Sequence, residues 1–178
     1  MLSHLRRLAR GYDAQLQRSP LKVKMVTSGI IVSASDMTAQ MLTREAGENW
    51  DPVRTLVVGV GYGFLWFAPL LHVVTARMWP RLMPSKSPPA LMFKTAVDLT
   101  TSFPLNVCVI TSLNSYTRRE ENILDGIKRN LWPTWRLGVL YWGPLNLCMY
   151  GLVPMHYRVL FLNTFSYIWN TILIWRYK

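Results

Sequence analysis

Charge is scarce in this chain. Asp, Glu, Lys and Arg make up 16% of its 178 residues, against the roughly 25% usual for soluble domains. A polar shell around one water-soluble core is therefore hard to build. Acids are scarcer than bases, nine against twenty, and no carboxylates cluster outside the connecting segments, which argues against a metal or acid–base centre. Only Cys108 and Cys148 are cysteines. Each lies in an apolar stretch with no CxxC pair and no His at ligand spacing, so a disulfide framework and a zinc site are excluded and both read as small apolar side chains. No Asn-x-Ser/Thr acceptor occurs, and the N-terminus lacks the apolar core of a secretory signal. H-E-x-x-H, Walker A and G-x-S-x-G are also absent. The Gly59, Gly61, Gly63 run lacks the preceding strand and the spacing of a dinucleotide loop, and no enzymatic activity is expected.

What is present is apolar. The AVILMFWYC set reaches 51%, with eight Trp and nine Met. The net charge of +11 raises nucleic acid as a partner, but the basic residues gather at 6–24, 77–94, 118–136 and 176–178, between apolar stretches. That distribution is the flanking charge of membrane spans, and no nucleic-acid partner is expected. Stretches long enough to cross roughly 30 Å of hydrocarbon fall near 23–42, 53–74, 90–113 and 135–153. A fifth, near 157–175, carries Asn163, Ser166 and Asn170 and either crosses or packs against the others. Trp50, Trp79, Trp132, Trp135 and Trp175 fall near predicted span ends, where headgroups favour indoles, whereas Trp66, Trp142 and Trp169 fall deeper and need partners for their N–H groups. The expected fold is all-α: one integral membrane domain over 1–178. Its bundle, 20–178, has four to five membrane helices, several kinked by Pro. Residues 1–19 read as an uncleaved amphipathic helix in the membrane interface, with Leu2, Leu5, Ala9, Tyr12 and Leu16 at helical spacing and Arg6, Arg7 and Arg10 on other sides. The basic bias puts the N-terminus on the matrix or cytosolic side.

Several residues carry the interior. Gly59 and Gly63, and Gly29 with Ser33, form small-x-x-x-small pairs that let helices approach closely in lipid. Pro69, Pro104, Pro144 and Pro154 sit within or at the ends of spans, where each removes a donor. Asp36 and Asp98 are costly in hydrocarbon, roughly 2.5–3.5 kcal/mol each on insertion scales, and should face inward. Lys94, one turn before Asp98, and Arg54, His72, Arg136 and Arg158 are candidate partners. Asp36, Gln40, Lys94, Asp98, Asn146 and Arg158 are the candidates for a buried polar network or a pore lining.

These residues resemble a known family, that of Mpv17 and the twenty-two-kilodalton peroxisomal membrane protein. "SPLKVKMVTSGIIVSASDMTAQ" is similar to its opening stretch through Pro20, Thr27, Gly29, Asp36 and Gln40. "WDPVRTLVVGVGYGFLWFAPLLH" matches through Asp51, Arg54, Gly59, Pro69 and His72, and "KTAVDLTTSFP" through Lys94, Asp98 and Pro104. The C-terminal motif is met at Trp142, Val153, Pro154, Arg158, Asn163 and Trp169. The resemblance implies a multi-pass protein of an organelle membrane, with channel formation or an influence on membrane potential and metabolite balance. The inner mitochondrial membrane is expected, with the peroxisomal membrane as the alternative. This chain departs from the family where an amide gives way to Leu99 and Met149, which removes groups that could wet a passage. The expected function is therefore a non-enzymatic scaffold or accessory subunit of a respiratory assembly, with an ion or solute channel as the alternative. Expected partners are the bilayer, anionic phospholipids and other membrane subunits, and no cofactor is expected beyond a bound phospholipid such as cardiolipin.

Overall fold

The structure is a computed structural model that describes residues 2–43 and 49–177 and, within them, all side chains but those of 2–6, 8, 9, 171 and 173–177. The described residues are almost entirely helical. They form α1 (Leu2–Arg18), α2 (Pro20–Thr43), α3 (Pro52–Leu82), α4 (Pro88–Thr117), α5 (Ile123–Leu152) and α6 (Arg158–Tyr177). Two of them, α3 and α4, are long and apolar enough to cross a membrane. The side chains of Leu2, Leu5, Arg6, Ala9 and Trp175, and residues 44–48, lie outside this description.

Local chemistry sets the boundaries. Asp51 caps α3, its carboxylate accepting from Arg54 N at 3.0 Å, and Pro52 stands at the first helical position, where a missing N–H costs nothing. Asn122 caps α5 by accepting from Leu124 N at 3.0 Å. Arg119 turns the chain out of α4 at φ 54°, a left-handed position seldom taken by a residue other than glycine. Val153 and Pro154 adopt extended geometry and separate α5 from α6.

Prolines shape the long helices unequally. Within α3, two stretches widen into π-helix, Val57–Phe67 and Val74–Met78, and each stops two residues before a proline, Pro69 and Pro80. A proline cannot donate and its ring presses on the carbonyl four residues back, and a wider turn upstream relieves both. Thr101 leaves helical geometry three residues before Pro104 and breaks α4 there. Pro133 and Pro144 do neither, and α5 continues as helix through both.

The five longer elements pack as a ring in the order α6, α2, α3, α4, α5, with α5 and α6 touching only sparsely. The α2–α3 seam is the closest. A Cβ on Gly63 would stand 2.9 Å from the Ser28 carbonyl oxygen and 3.1 Å from Gly29 Cα, and one on Gly59 would stand 1.9 Å from Ser33 Oγ. At the opposite side of the ring, Gly138 of α5 receives the Phe103 ring, whose Cζ would be 2.2 Å from an added Cβ. Aromatic contacts close the sparse seam: the Trp169 ring of α6 lies 5.1 Å from Tyr141 and 6.1 Å from Trp142. Trp50, just before α3, and Trp132, within α5, are exposed, but Trp79 is buried and serves a buried carboxylate instead.

Helix α1 packs on α2. Leu16 is fully buried, Tyr12 Oη lies 3.4 Å from Thr27 Oγ1, and Tyr157, between α5 and α6, donates to the Asp13 carboxylate. That bond raises the Tyr157 phenol above its ordinary pKa. The notch at Gly63 is testable. Gly63→Val should lower the melting temperature of the purified protein by about 3–10 °C, the overpacking cost of roughly 1–3 kcal/mol. Gly11→Ala, where nothing lies within 4 Å of the added methyl, should leave it unchanged or slightly raised.

Candidate functional site

The inward faces of the ring carry polar groups in three tiers. The first ties α2 to the start of α3 around Asp36. Arg54 Nε lies 3.1 Å from Asp36 Oδ1, an ion pair whose N–H is not aligned as a hydrogen bond. Thr55 Oγ1 and Gln40 Nε2 each donate to Asp36 Oδ2 at 2.7 Å. Gln40 Oε1 in turn accepts from Asp51 N at 2.8 Å. A carboxylate in an apolar helix is thus matched by one cation and two donors, which is what its burial demands.

The middle tier is amide and hydroxyl. Asn163, wholly buried, accepts from Ser28 Oγ at 2.7 Å, and Asn170 Nδ2 donates to Ser35 Oγ at 2.7 Å, so the polar residues of α6 face α2. Asn106 Oδ1 accepts from Trp66 Nε1 at 3.0 Å and from Tyr62 Oη at 3.4 Å, bridging α3 and α4. Trp142 Nε1 and Asn114 Oδ1 have no hydrogen-bond partner among the described residues.

In the third tier, near the α1 end, Asp98 accepts from Tyr150 Oη and, at 3.2 Å, from Trp79 Nε1. Lys94 does not pair with it. Its side chain turns away along its own helix and donates to the Ser85 carbonyl at 2.7 Å, leaving Asp98 to neutral donors from α3 and α5. Arg158 likewise finds carbonyls, those of Thr75 at 3.0 Å, Val153 at 3.3 Å and Tyr150 at 3.4 Å. His72 Nδ1 lies 3.3 Å from Lys24 Nζ. Arg136 is exposed over the Trp132 ring at 5.6 Å and partners no buried carboxylate.

Between these tiers lies a cavity of about 910 Å³. Exposed Arg118 and Arg129 line it at the α4–α5 turn, where it opens, and buried Thr75, Asp98 and Met149 line its inner end. Of the residues expected to form a lining, Asp36, Asp98 and Asn146 do so. Gln40 borders a separate pocket of about 410 Å³, because both ends of its amide are held by Asp36 and Asp51. Lys94 and Arg158 border neither, since both turn to backbone carbonyls beyond the inner end. Trp142 and Trp169 line the cavity, Asn163 accepts from Ser28 while its Nδ2 has no hydrogen-bond partner among the described residues, and Pro154 is an exposed helix break rather than a packing residue. Reading single residues missed Asn106, Ser102, Asn114, Asn130 and Thr134, all in the lining. Their signal is a fourfold spacing: 102, 106, 110 and 114 in α4, and 130, 134, 138, 142 and 146 in α5, trace one face of each helix. Among the described residues no three His, Cys, Asp or Glu side chains gather as metal ligands.

An all-helical integral membrane protein with a polar interior is the class this arrangement defines. The family model described as "Mpv17 / PMP22 family" matches residues 116–173, the end of α4 through α6. The "Protein SYM1" of Gibberella zeae is 26% identical over 174 residues, covering 93% of this chain and 95% of that protein. "Mitochondrial inner membrane protein Mpv17" of Xenopus laevis is 23% identical over 171 residues, with 95% and 96% covered, and the Saccharomyces cerevisiae "Protein SYM1" is 25% identical with 93% and 87% covered. No solved structure matches. The chain is thus similar to the Mpv17/PMP22 family over its last third, and along nearly its whole length to proteins named SYM1 and Mpv17.

The Asp36 cluster yields a stability prediction. Asp36→Asn strands the Arg54 guanidinium and should cost about 2–4 kcal/mol, read as a lower melting temperature. Asp36→Asn with Arg54→Gln should recover part of that loss, and additive losses would show that the two do not interact.

Proposed function

We propose that this chain is a five-span inner-membrane protein whose helical ring takes up small polar solutes through the cavity between its helices. Supporting five spans, α2 to α6 run for 24, 31, 30, 30 and 20 residues, and about 20 residues of helix cross a hydrocarbon core. Large apolar side chains point outward along them, among them Ile30, Leu65, Met92, Leu140 and Ile168. An odd number of spans puts the chain ends on opposite faces, with α1 lying on the more basic, matrix side.

The observation that carries the solute reading is the cavity itself. Its walls combine Ser, Thr and Asn side chains with Asp36 and Asp98, whose charges are both engaged by protein donors. Inward of the mouth, where Arg118 and Arg129 stand, a passage lined this way favours uncharged or zwitterionic polar molecules over bare ions, because the wall there offers engaged carboxylates and neutral groups to replace an ion's hydration shell. The absence of amides at Leu99 and Met149, which argues for a scaffold at the sequence level, is offset by Asn106, Asn114 and Asn130. An accessory-subunit role is the second reading, favoured by the exposed apolar surface of α5 around Trp132, Leu140 and Leu147, which suits a protein neighbour as well as lipid.

Flux of small polar solutes through reconstituted vesicles separates the two. Under the solute reading, the chain alone should speed release of a trapped neutral solute, and Asn146→Trp, which fills the cavity, should slow release at least fivefold without loss of helical content. Silent vesicles, together with stoichiometric copurification with a respiratory assembly, would favour the subunit reading.

A further inference from the structure

The α1 end of the bundle holds an unusual charge balance. Lys24, His72, Lys94 and Arg158 are all buried, the two lysines to 3% and 5% residual exposure, and come from α2, α3, α4 and α6. Contacts link them in pairs. Lys24 Nζ lies 3.3 Å from His72 Nδ1, Arg158 bonds the Thr75 carbonyl one turn beyond His72, and the Tyr150 ring stands between Lys94, at 5.9 Å, and Arg158, at 5.3 Å. The Arg158 charge acts on both lysines. One buried carboxylate, Asp98, belongs to this end and is engaged by Tyr150 and Trp79, while the half-buried Asp13 of α1 accepts from Tyr157. No ion pair links any of the four bases to an acid among the described residues.

We propose that this cluster is a binding site for a phosphate-bearing anion, with Lys24 and Lys94 as its ligands. Burial without a counterion leaves each ammonium short of the solvation it had in water, and a tetrahedral oxyanion would supply it to several bases at once. Arg158 has a separate task, since its carbonyl bonds tie the end of α5 to α3. The exposed linker of residues 83–87 forms the outer wall, and an entering anion displaces one bond there, Lys94 to the Ser85 carbonyl. The site lies one to two turns from the helix ends, within reach of both a dissolved phosphate and a lipid phosphodiester. It is independent of solute passage through the cavity.

Melting temperature tests it, using the full chain. One arm titrates inorganic phosphate against chloride at equal ionic strength in neutral detergent. The other compares vesicles of phosphatidylcholine alone with vesicles that also contain phosphatidylglycerol. A rise of about 3–6 °C at tenfold over Kd is expected in at least one arm. A rise with phosphate identifies a free anion, and a rise with phosphatidylglycerol alone identifies a headgroup. Lys24→Met with Lys94→Met should abolish the rise, whereas the exposed pair Arg77→Gln with Arg81→Gln should keep it. No rise in either arm, or a rise that survives in the doubly substituted protein, overturns the proposal. Should that protein fail to fold, Lys94→Gln alone should weaken anion binding about tenfold, and unchanged affinity would be equally decisive against it.

Discussion

The close approach of α2 to α3 is the constraint on which the rest of the bundle depends. In lipid there is little hydrophobic gain from bringing two apolar helices together, so association rests on packing distance and on polar groups with no other recourse. Gly59 and Gly63 provide the distance, each lying where a Cβ would strike Ser33 or the Ser28 carbonyl. The same seam brings Asp36 to Arg54 and Thr55. The neighbouring face of α2 presents Ser28, Ser35 and Thr38 to Asn163, Asn170 and Tyr167 of α6. One helix therefore fixes two neighbours, by shape on one side and by hydrogen bonds on the other. The ring then closes at its weakest seam, between α5 and α6, through aromatic rings and the bond from Tyr141 Oη to the Phe165 carbonyl at 2.9 Å, and the space left inside is the cavity.

The prolines show how backbone defects become useful. A π turn or a break leaves carbonyls without their usual helical partners, and in a membrane such groups must be met by protein. Thr75 lies in the second π stretch of α3, and its carbonyl accepts from Arg158 at 3.0 Å. Thr101, at the break in α4, adds its hydroxyl to the Val97 carbonyl at 2.7 Å, and the neighbouring Leu99 carbonyl accepts from Trp135 at 2.8 Å. Two of these donors, Arg158 and Trp135, come from other helices, so the defects in α3 and α4 become points of attachment for α6 and α5. Pro133 and Pro144 lie in a helix that continues through both.

Much of this was legible in the sequence because lipid punishes ambiguity. The apolar stretches near 23–42, 53–74 and 90–113 fall inside α2, α3 and α4, and 135–153 falls inside α5 but for its last residue, since few other arrangements can satisfy a backbone in lipid. The small residues at 29, 33, 59 and 63 were legible for the same reason, as a spacing of four keeps them on one face. Pairings between helices were not. Lys94 is four residues from Asp98 and is its expected partner by spacing, yet the carboxylate is met by Tyr150 and Trp79, which lie 52 and 19 residues away. Spacing reports which face a side chain occupies and is silent on what another helix brings to that face. Trp79 illustrates the same limit. Its place near a helix end suggests a headgroup anchor, but the π turn before Pro80 and the nearby carboxylate together draw it inside.

The two ends of the bundle handle charge in opposite ways. At the α4–α5 end, Asp36 is paired with Arg54 and Glu120 stands 4.0 Å from Arg129, so that end is close to neutral and its polar groups satisfy one another. At the α1 end, the one buried acid is occupied by the neutral donors Tyr150 and Trp79, and the buried bases are left with carbonyls and an imidazole. A carbonyl dipole solvates part of a cation's charge but cancels none of it. The positive bias of this end is therefore built into the interior as well as the surface. Surface lysines are screened within about 8–10 Å by physiological salt, whereas bases held in a low-dielectric interior are screened far less. This arrangement holds an anion close to the bundle even at ionic strengths that would release it from the exposed Arg77 and Arg81.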